Sequence, residues 1–251
     1  KAKDKAADPI IVHPDVRKML LTAKAYAEGG RALAIYCTLL LDKELYHPDE
    51  KVRKDSGEIV ALLTPIVKAF LSDNGHIATN ACMQVFGGHG YVKEWGMEQL
   101  VRDNRINMIY EGTNTIQSLD LLGRKVGALI LEEGVNEKMA EFINPLAYLA
   151  DQMTKFTTEL GFKGFQNPDE VGAAAVDYLR VAGHLVFGYF WARMAQTALR
   201  EIAAGNNDPF YLAKVQTARF YFAKLFPETA MLMRTARSGS RALMDTDAAL
   251  A

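Results

Sequence analysis

The spacing of apolar residues constrains this chain more than any other feature, because it is helical almost everywhere. Apolar side chains recur at the i, i+3, i+4 and i+7 positions of an amphipathic helix, first at Val16, Met19, Leu20, Ala23 and Ala27. No stretch shows the alternation of a half-buried strand. The sequence therefore predicts an all-α fold, an up-down four-helix bundle followed by a second helical domain.

Turn residues divide the helical pattern into elements. His47-Pro48 and the run Gly205 to Pro209 interrupt it, and a loop is expected from Gly161 to Pro168. Pro65 lies inside a helical run and is expected to kink or divide that helix. The last long helix is predicted from Pro209 to about Arg237.

The same breaks suggest a division into domains. We place a linker at residues 1–11, the four-helix bundle at 12–130 and the second helical domain at 134–251. The chain opens at Lys1 with a charged, linker-like stretch and not with Met. We therefore expect it to be a piece of a longer protein.

Charge and cysteine content argue against several classes of protein. The 251 residues carry 29 Lys and Arg against 30 Asp and Glu, so the net charge of −1 gives no reason to expect a nucleic-acid partner. Cys37 and Cys82 lack the spacing of a zinc site or a disulfide framework, and no metal is expected. No apolar run is long enough to predict a transmembrane segment. The expected protein is reduced and cytoplasmic.

Glu111 is the most specific candidate for chemistry. It follows an apolar run ending at Tyr110 and precedes Gly112-Thr113, where a helix should begin. A carboxylate there can simply favour the first turn of a helix at the surface. Alternatively, it lies beside a substrate cavity, where removal of water strengthens a carboxylate as a base.

A glycine cluster, Gly87-Gly88-His89-Gly90, precedes this segment. It lacks the Lys and Ser/Thr of a phosphate-binding P-loop, and no strand leads into it. The glycines either end a helix or allow a flat or phosphorylated ligand to approach the backbone closely.

Two motifs give the chain a family resemblance. Gln84-Val-Phe-Gly-Gly-His-Gly-Tyr91 and Ile109-Tyr-Glu-Gly-Thr-Asn-Thr-Ile-Gln117 resemble the carboxyl-terminal helical domain of the acyl-CoA dehydrogenase family. The spacing between the motifs is also similar. Residues from Gly134 onward resemble the helical extension of a subset that includes the methylmercaptopropionyl-CoA dehydrogenase type.

The resemblance implies an FAD flavoprotein that desaturates an acyl-CoA thioester between its α and β carbons. Glu111 matches the base that removes the α-proton, with flavin as the hydride acceptor, and its backbone N–H matches a donor to the thioester carbonyl. Tyr110 and Gly112 match substrate-binding positions. The FAD-contacting positions are matched by Thr113, Asn114, Thr115, Gln84, Val85, Phe86, Gly87 and Gly88, the last five toward a neighbouring subunit's cofactor. Thr115 stands where the family commonly has Gln or Glu.

The resemblance also implies partners that this chain does not contain. Electron-transfer flavoprotein is the expected electron acceptor, and the expected assembly is a homodimer or homotetramer. The family's amino-terminal helical domain and middle β-domain hold much of the FAD and CoA, so these residues alone are expected to lose FAD and be inactive. The alternatives are an acyl-CoA oxidase of the same fold and a non-catalytic helical interaction module.

Two surface features lie outside the motifs. An apolar stripe containing Phe70, Ile77, Ala81 and Val85 exceeds what one bundle core requires, so we expect it to be buried between subunits. Residues 209–241 are rich in Lys and Arg. We expect these side chains to face solvent or to form internal ion pairs, in preference to binding a membrane or CoA phosphates.

Overall fold

A computed structural model describes residues 7–121 and 139–245, and the fold is all-α, as predicted. No strand occurs within these two ranges. The helices are α1 (Pro14–Tyr46), α2 (Glu50–Val85), α3 (Met97–Ile106), α4 (Asn114–Asp120), α5 (Ala140–Gln166), α6 (Asp169–Ala203), α7 (Pro209–Phe220), α8 (Glu228–Ala236) and α9 (Arg241–Met244). Short 3₁₀ turns lie at Ile10–Val12, Gly87–Tyr91 and Lys93–Trp95, and a π-helical turn at Tyr221–Leu225.

Local sequence explains where several helices begin. Pro14 occupies the first turn of α1, where its missing N–H costs nothing. The side chains of Asp49, Thr113 and Asp208 accept hydrogen bonds from backbone N–H groups in the first turns of α2, α4 and α7. These caps satisfy donors that a helix start otherwise leaves unpaired.

Helices α1 and α2 form a long antiparallel pair joined by the turn at His47–Asp49. Of the two outcomes expected at Pro65, division of the helix does not occur, because α2 continues through it to Val85. Pro65 is itself buried. The packing of α1 and α6 against this helix outweighs the single backbone hydrogen bond that proline removes.

Helix α6 is the centre of the molecule. It packs against α1, α2 and α4 from the first half of the chain and against α5, α7 and α8 from the second half. Two glycines permit the close approach: a Cβ on Gly29 of α1 would stand 2.5 Å from the ring of Phe187, and one on Gly183 of α6 would overlap the ring of Phe70. The buried residues of both halves therefore join one hydrophobic core.

This packing corrects the interpretation of the apolar stripe on α2. Phe70 is completely buried beneath α6, its ring 5.4 Å from that of Phe187. Ile66 is buried in the same core, whereas Ile77 is 41% exposed. The surplus apolar surface is thus largely covered by the chain itself, because the predicted second domain supplies the covering helix.

Two predicted boundaries in the second half are wrong. The expected loop from Gly161 is helical as far as Gln166, because α5 tolerates both Gly161 and Gly164. The expected single helix from Pro209 instead passes through the π-helical turn and restarts at Glu228, after Pro227. Proline there ends one helical segment and favours the start of the next.

The proposed domain boundary between residues 130 and 134 lies outside the described residues, so it stays a prediction. Among the helices that are described, none is both long and apolar enough to cross a lipid bilayer.

Candidate functional site

The backbone takes an unusual conformation at Glu111. Within residues 7–121 and 139–245 it is the one non-glycine residue with a positive φ, 55°, and Gly112 follows with φ 82°. The left-handed region costs an L-residue about 1–2 kcal/mol, so such a residue persists only where its surroundings hold it. Glu111 and Gly112, both with positive φ, turn the chain between the end of α3 and the start of α4.

The surface around Glu111 is apolar. Glu111 itself is exposed, and Ile109, Tyr110 and Ile116 are each about half exposed. The described residues therefore place a carboxylate on an open apolar patch, and they do not form the enclosed cavity expected from the sequence. Any enclosure of the carboxylate must come from atoms outside these residues.

The backbone N–H of Glu111 is not used by the turn itself. The carbonyl of Glu111 accepts a hydrogen bond from Gln117 Nε2 at 3.4 Å, whereas its N–H donates to no acceptor within the described residues. An exposed N–H beside a carboxylate is a donor that a ligand carbonyl can use. A Cβ on Gly112 would stand 3.0 Å from Gln117 Nε2, which shows how closely the turn is packed.

The turn is attached to the middle of α2. Lys68 Nζ donates to the carbonyl of Gly112 at 2.6 Å and to Asn114 Oδ1 at 2.9 Å. Asn114 Nδ2 donates to Asp73 Oδ1 at 2.6 Å and to Ser72 Oγ at 3.0 Å. Burial raises the pKa of Asp73, although the hydrogen bond from Asn114 acts in the opposite direction. Lys68 and Asp73 were not among the residues selected from the sequence.

The predicted cofactor residues of this turn thus divide into two groups. Thr115 is exposed, and the Thr113 hydroxyl caps α4 by accepting from the N–H of Ile116. The side chain of Asn114 instead points into the protein, where its amide bonds to α2. Direct contact between this side chain and a cofactor would require these hydrogen bonds to break.

The other predicted cofactor residues lie at the carboxyl end of α2. Gln84 and Phe86 are exposed, and Val85 is half-buried. Gly87 has φ 61°, and a Cβ on it or on Gly88 would meet no atom within 4 Å. The open space fits close approach of a flat or phosphorylated group to the backbone.

Gly90 differs from the two glycines before it. It is buried, and a Cβ on it would stand 2.8 Å from Cβ of Phe86 and even nearer to the backbone of Met83. This glycine allows the turn to close on itself. The ring of His89 packs edge-on against Trp95 with centroids 5.2 Å apart, which favours a structural role for this histidine.

The two groups of candidate residues are not adjacent. Ser72, which contacts Asn114, and Val85 are separated by about 20 Å along α2 at the usual rise per residue. The separation is compatible with the implied arrangement in which Gln84 to Gly88 contact a neighbouring subunit's cofactor.

A buried polar network was missed at the sequence level. His184 is completely buried on α6; its Nδ1 lies 2.9 Å from Tyr221 Oη and its Nε2 lies 3.1 Å from Glu228 Oε2. Arg180 donates to both oxygens of Glu228. A signal in the sequence is the spacing of Arg180 and His184, which stand four residues apart in a largely apolar part of α6.

The electrostatics of the network favour an ionised carboxylate beside a neutral imidazole. Burial opposes the ionisation of Glu228, but hydrogen bonds from His184 and Arg180 outweigh it and lower its pKa to about 2. Burial lowers the pKa of His184. A neutral imidazole with its proton on Nε2 satisfies both contacts, since Nε2–H donates to Glu228 and Nδ1 accepts from Tyr221.

The basic residues of the last helices form internal contacts, one of the two arrangements favoured from the sequence. Lys214 pairs with Glu28 of α1 at 2.7 Å, and Arg219 pairs with Glu141 of α5 at 2.8 Å. The guanidinium of Arg237 lies 5.4 Å from the ring centroid of Phe156. These contacts attach α7 and α8 to both halves of the protein.

Two further observations concern ligands. No group of three or more His, Cys, Asp or Glu side chains suited to a metal ion occurs within residues 7–121 and 139–245. A groove of about 440 Å³ lies between α1, α6 and α7, lined in part by Ile35, Phe190 and Phe210. None of the predicted site residues lines this groove.

Comparison with known families finds two matching domains. A family described as "Acyl-CoA dehydrogenase, C-terminal domain" matches residues 1–126. A family described as "Acetyl-CoA dehydrogenase C-terminal like" matches residues 114–247.

Individual proteins are similar over most of the chain. A 3-methylmercaptopropionyl-CoA dehydrogenase of Ruegeria pomeroyi is 35% identical over 238 residues, which cover 88% of this chain and 40% of that protein. The broad-specificity linear acyl-CoA dehydrogenase FadE5 of Mycobacterium tuberculosis is 30% identical, over 89% of this chain and 41% of its own length. The chain thus spans about two fifths of these relatives.

A solved structure shares the fold. The acyl-CoA dehydrogenase of Bacillus anthracis, crystallised with FAD, superposes with a TM-score of 0.74 at 18% identity, over 93% of this chain and 42% of that one.

Proposed function

The chain belongs to the acyl-CoA dehydrogenase family, and on that premise we propose that it supplies the catalytic base of a protein that oxidises an acyl-CoA thioester to the 2,3-enoyl-CoA. The base is Glu111. The relatives are more than twice as long as this chain, so the activity is proposed for a protein that carries this chain within a longer sequence.

The observation that carries the proposal is the backbone at Glu111. A glutamate with φ 55° is costly, whereas glycine tolerates the φ of 82° at Gly112, and α2 holds this turn through Lys68. Backbone strain of this kind clusters at catalytic sites, where it fixes one orientation of a side chain. A carboxylate that served only to favour the start of α4 would need no left-handed backbone.

The surroundings of Glu111 fit an acyl thioester. Ile109, Tyr110 and Ile116 offer apolar surface to an acyl chain, and Glu111 lies among them. We propose that the carboxylate removes the proton from the carbon next to the thioester carbonyl. As negative charge develops on the carbonyl oxygen, the free N–H of Glu111 donates to it, which stabilises the enolate-like transition state. We assign Gly112 to the substrate-binding position beside the base; a side chain there would crowd Gln117 Nε2, 3.0 Å from an added Cβ.

The proposal requires FAD as the cofactor. When bound, FAD would accept the hydride that leaves the β-carbon. The open backbone at Gly87 and Gly88 and the exposed side chains of Gln84 and Phe86 fit contact with such a cofactor. Thr113 and Thr115 are accessible for a second contact near Glu111. Asn114 does not fit a direct contact, and we assign its side chain to the support of the turn.

Electron-transfer flavoprotein is the proposed electron acceptor of the complete protein, which distinguishes it from an oxidase that would use oxygen. Acyl-CoA of undefined chain length is the proposed substrate.

The test is Glu111→Gln in the complete protein that carries this chain, with Glu94→Gln as a matched control at an exposed position of a neighbouring turn. Both variants should retain FAD. Bleaching of the flavin by acyl-CoA under anaerobic conditions should be slower by about a hundred-fold or more in Glu111→Gln and unchanged in the control. Bleaching of Glu111→Gln at the wild-type rate would reject the assignment.

A further inference from the structure

Lys68 is a half-buried cation in the middle of α2, preceded in the sequence by Val67 and followed by Ala69. Its ammonium group reaches a loop more than forty residues away in sequence, with bonds of 2.6 Å to the Gly112 carbonyl and 2.9 Å to Asn114 Oδ1. Bonds from an ammonium group to oxygen are charge-assisted and stronger than neutral ones. The contact therefore attaches both ends of the Gly112–Asn114 segment to α2.

The amide of Asn114 gives this attachment a single orientation. Its Oδ1 accepts from Lys68 at 2.9 Å, and its Nδ2 donates to Asp73 Oδ1 at 2.6 Å. An ammonium group can only donate and a carboxylate oxygen can only accept, so the amide cannot be reversed without losing both bonds. Lys68 and Asp73 are both half-buried, have opposite charges, and bond to opposite ends of the same amide.

The Gly112–Asn114 segment directly follows Glu111, the residue with the strained backbone. The peptide plane of Gly112 is fixed by the bond from Lys68 to its carbonyl, and Glu111 precedes it with φ 55°. Loss of that bond would release the Gly112 carbonyl from α2 and leave fewer contacts to hold the left-handed conformation of Glu111. The side chain of Glu111 would then leave the orientation in which the turn presents it.

We propose that Lys68 is a positioning residue for Glu111, which it orients by holding the Gly112 carbonyl and the Asn114 side chain against α2. This inference rests on the proposed function of Glu111 as the base. Lys68 does not touch the reacting atoms; it acts through the turn. Displacement of a reacting group by about 1 Å can lower a rate about a hundred-fold, so loss of Lys68 should act mainly on kcat.

The experiment compares Lys68→Met, Lys68→Arg and a matched control, Lys54→Met, on the same helix. Lys54 is exposed and its nearest partner is Glu58, at 3.9 Å. Lys68→Gln, which keeps a donor but is too short to reach the Gly112 carbonyl, replaces Lys68→Met if that variant does not fold.

The first measurement is amide hydrogen exchange in this chain, which needs no flavin. The N–H of Asn114 donates to the carbonyl of Met108 at 3.3 Å and reports on closure of the turn. In Lys68→Met its exchange should accelerate about ten-fold or more, while amides in the middle of α1 keep their protection. Lys54→Met should leave both unchanged. Unchanged exchange at Asn114 in Lys68→Met would overturn the inference whatever the activity.

The second measurement uses the complete flavin-containing protein. Lys68→Met should lower kcat by about ten- to a hundred-fold, with KM changed less than about three-fold and FAD content retained. Lys68→Arg, which can still donate to oxygen, should recover part of the rate. If Lys68→Met keeps the wild-type kcat while Glu111→Gln is inactive, the positioning role of Lys68 is rejected and the assignment of Glu111 as the base stands. Full activity of Glu111→Gln would overturn both.

Discussion

Arg180 and Glu228 form a bidentate ion pair between α6 and α8, with Nε 2.8 Å from Oε1 and Nη2 2.9 Å from Oε2. The same carboxylate lies 3.1 Å from His184 Nε2. Glu228 thus joins α8 to both Arg180 and the completely buried His184 of α6, so protonation of this histidine affects the contact between the two helices.

Acidification should weaken the fold through these groups. Burial lowers the pKa of His184, so the native state keeps it neutral while the unfolded chain takes up a proton below about pH 6.5. This contribution to stability is present above the unfolded pKa and is lost as the pH falls. The free energy of unfolding should decrease by up to about 1.4 kcal/mol per pH unit below that value.

Glu228 shifts stability in the same direction at lower pH. Its pKa falls from 4.5 in the unfolded chain to about 2 in the fold, a difference worth about 3 kcal/mol that is lost between those two pH values. Urea unfolding from pH 7 to pH 5 checks the histidine effect. The stability of His184→Gln should depend less on pH than that of the wild type. The control His13→Gln, at an exposed position, should show the wild-type pH dependence. A wild-type stability that is flat from pH 7 to pH 5 would contradict the prediction.

The second prediction concerns Gly183, at the contact of α6 with Phe70 of α2. Gly183→Ala should destabilise the protein by about 1–3 kcal/mol, because the new methyl group overlaps a buried ring. Gly172→Ala on the same helix has open space within 4 Å and should be neutral or stabilising by up to about 1 kcal/mol. Thermal unfolding of both variants measures the difference. Equal stability of the two would mean that α2 and α6 are not packed as described.

The third prediction is that this chain alone does not retain FAD. Its candidate contacts lie in two exposed groups, at Gln84–Gly88 and at Thr113–Thr115, about 20 Å apart along α2. The purified chain, mixed with excess FAD and passed through a desalting column, should be colourless. The FAD-containing acyl-CoA dehydrogenase of Bacillus anthracis serves as the positive control. Stoichiometric retention of flavin by the chain would show that its contacts form one sufficient site.

The fourth prediction is self-association into a two-fold dimer, although on a different surface from the one inferred from the sequence. Helix α6 covers Phe70, and the apolar side chains left open on α1 include Ile35, Leu39 and Tyr46. Sedimentation at micromolar concentration should give a dimer, and Leu39→Glu should shift it toward the monomer. A monomeric wild type would reject the prediction of a dimer. A Leu39→Glu variant that still dimerises would show that the interface lies on another surface.

Helix identity could be predicted from the sequence because periodicity and caps are local properties. Pro14 and Asp169 are the first residues of α1 and α6, and both residue types favour the start of a helix. The errors have a different origin. Gly161 was interpreted as a break, yet α5 continues through it, because tertiary packing outweighs the roughly 1 kcal/mol that glycine costs a helix.

The candidate site shows the same limit. Glu111 could be selected because its motif is contiguous, and the positive φ at that position supports its selection. Lys68 could not, because its partner Gly112 lies far away in the sequence and nothing local marks the contact. His184 could not be selected either, since its partners Tyr221 and Glu228 come from later elements.

The central place of α6 has a consequence for synthesis on the ribosome. Phe70 and Gly183 meet in the core although more than a hundred residues separate them. Translation proceeds at about 5–20 residues per second, so α2 exists for on the order of ten seconds before the helix that covers it has been made. During that interval the apolar face of α2 is open to misassociation. The nascent chain should therefore depend on a chaperone or on its own preceding segments until α6 emerges.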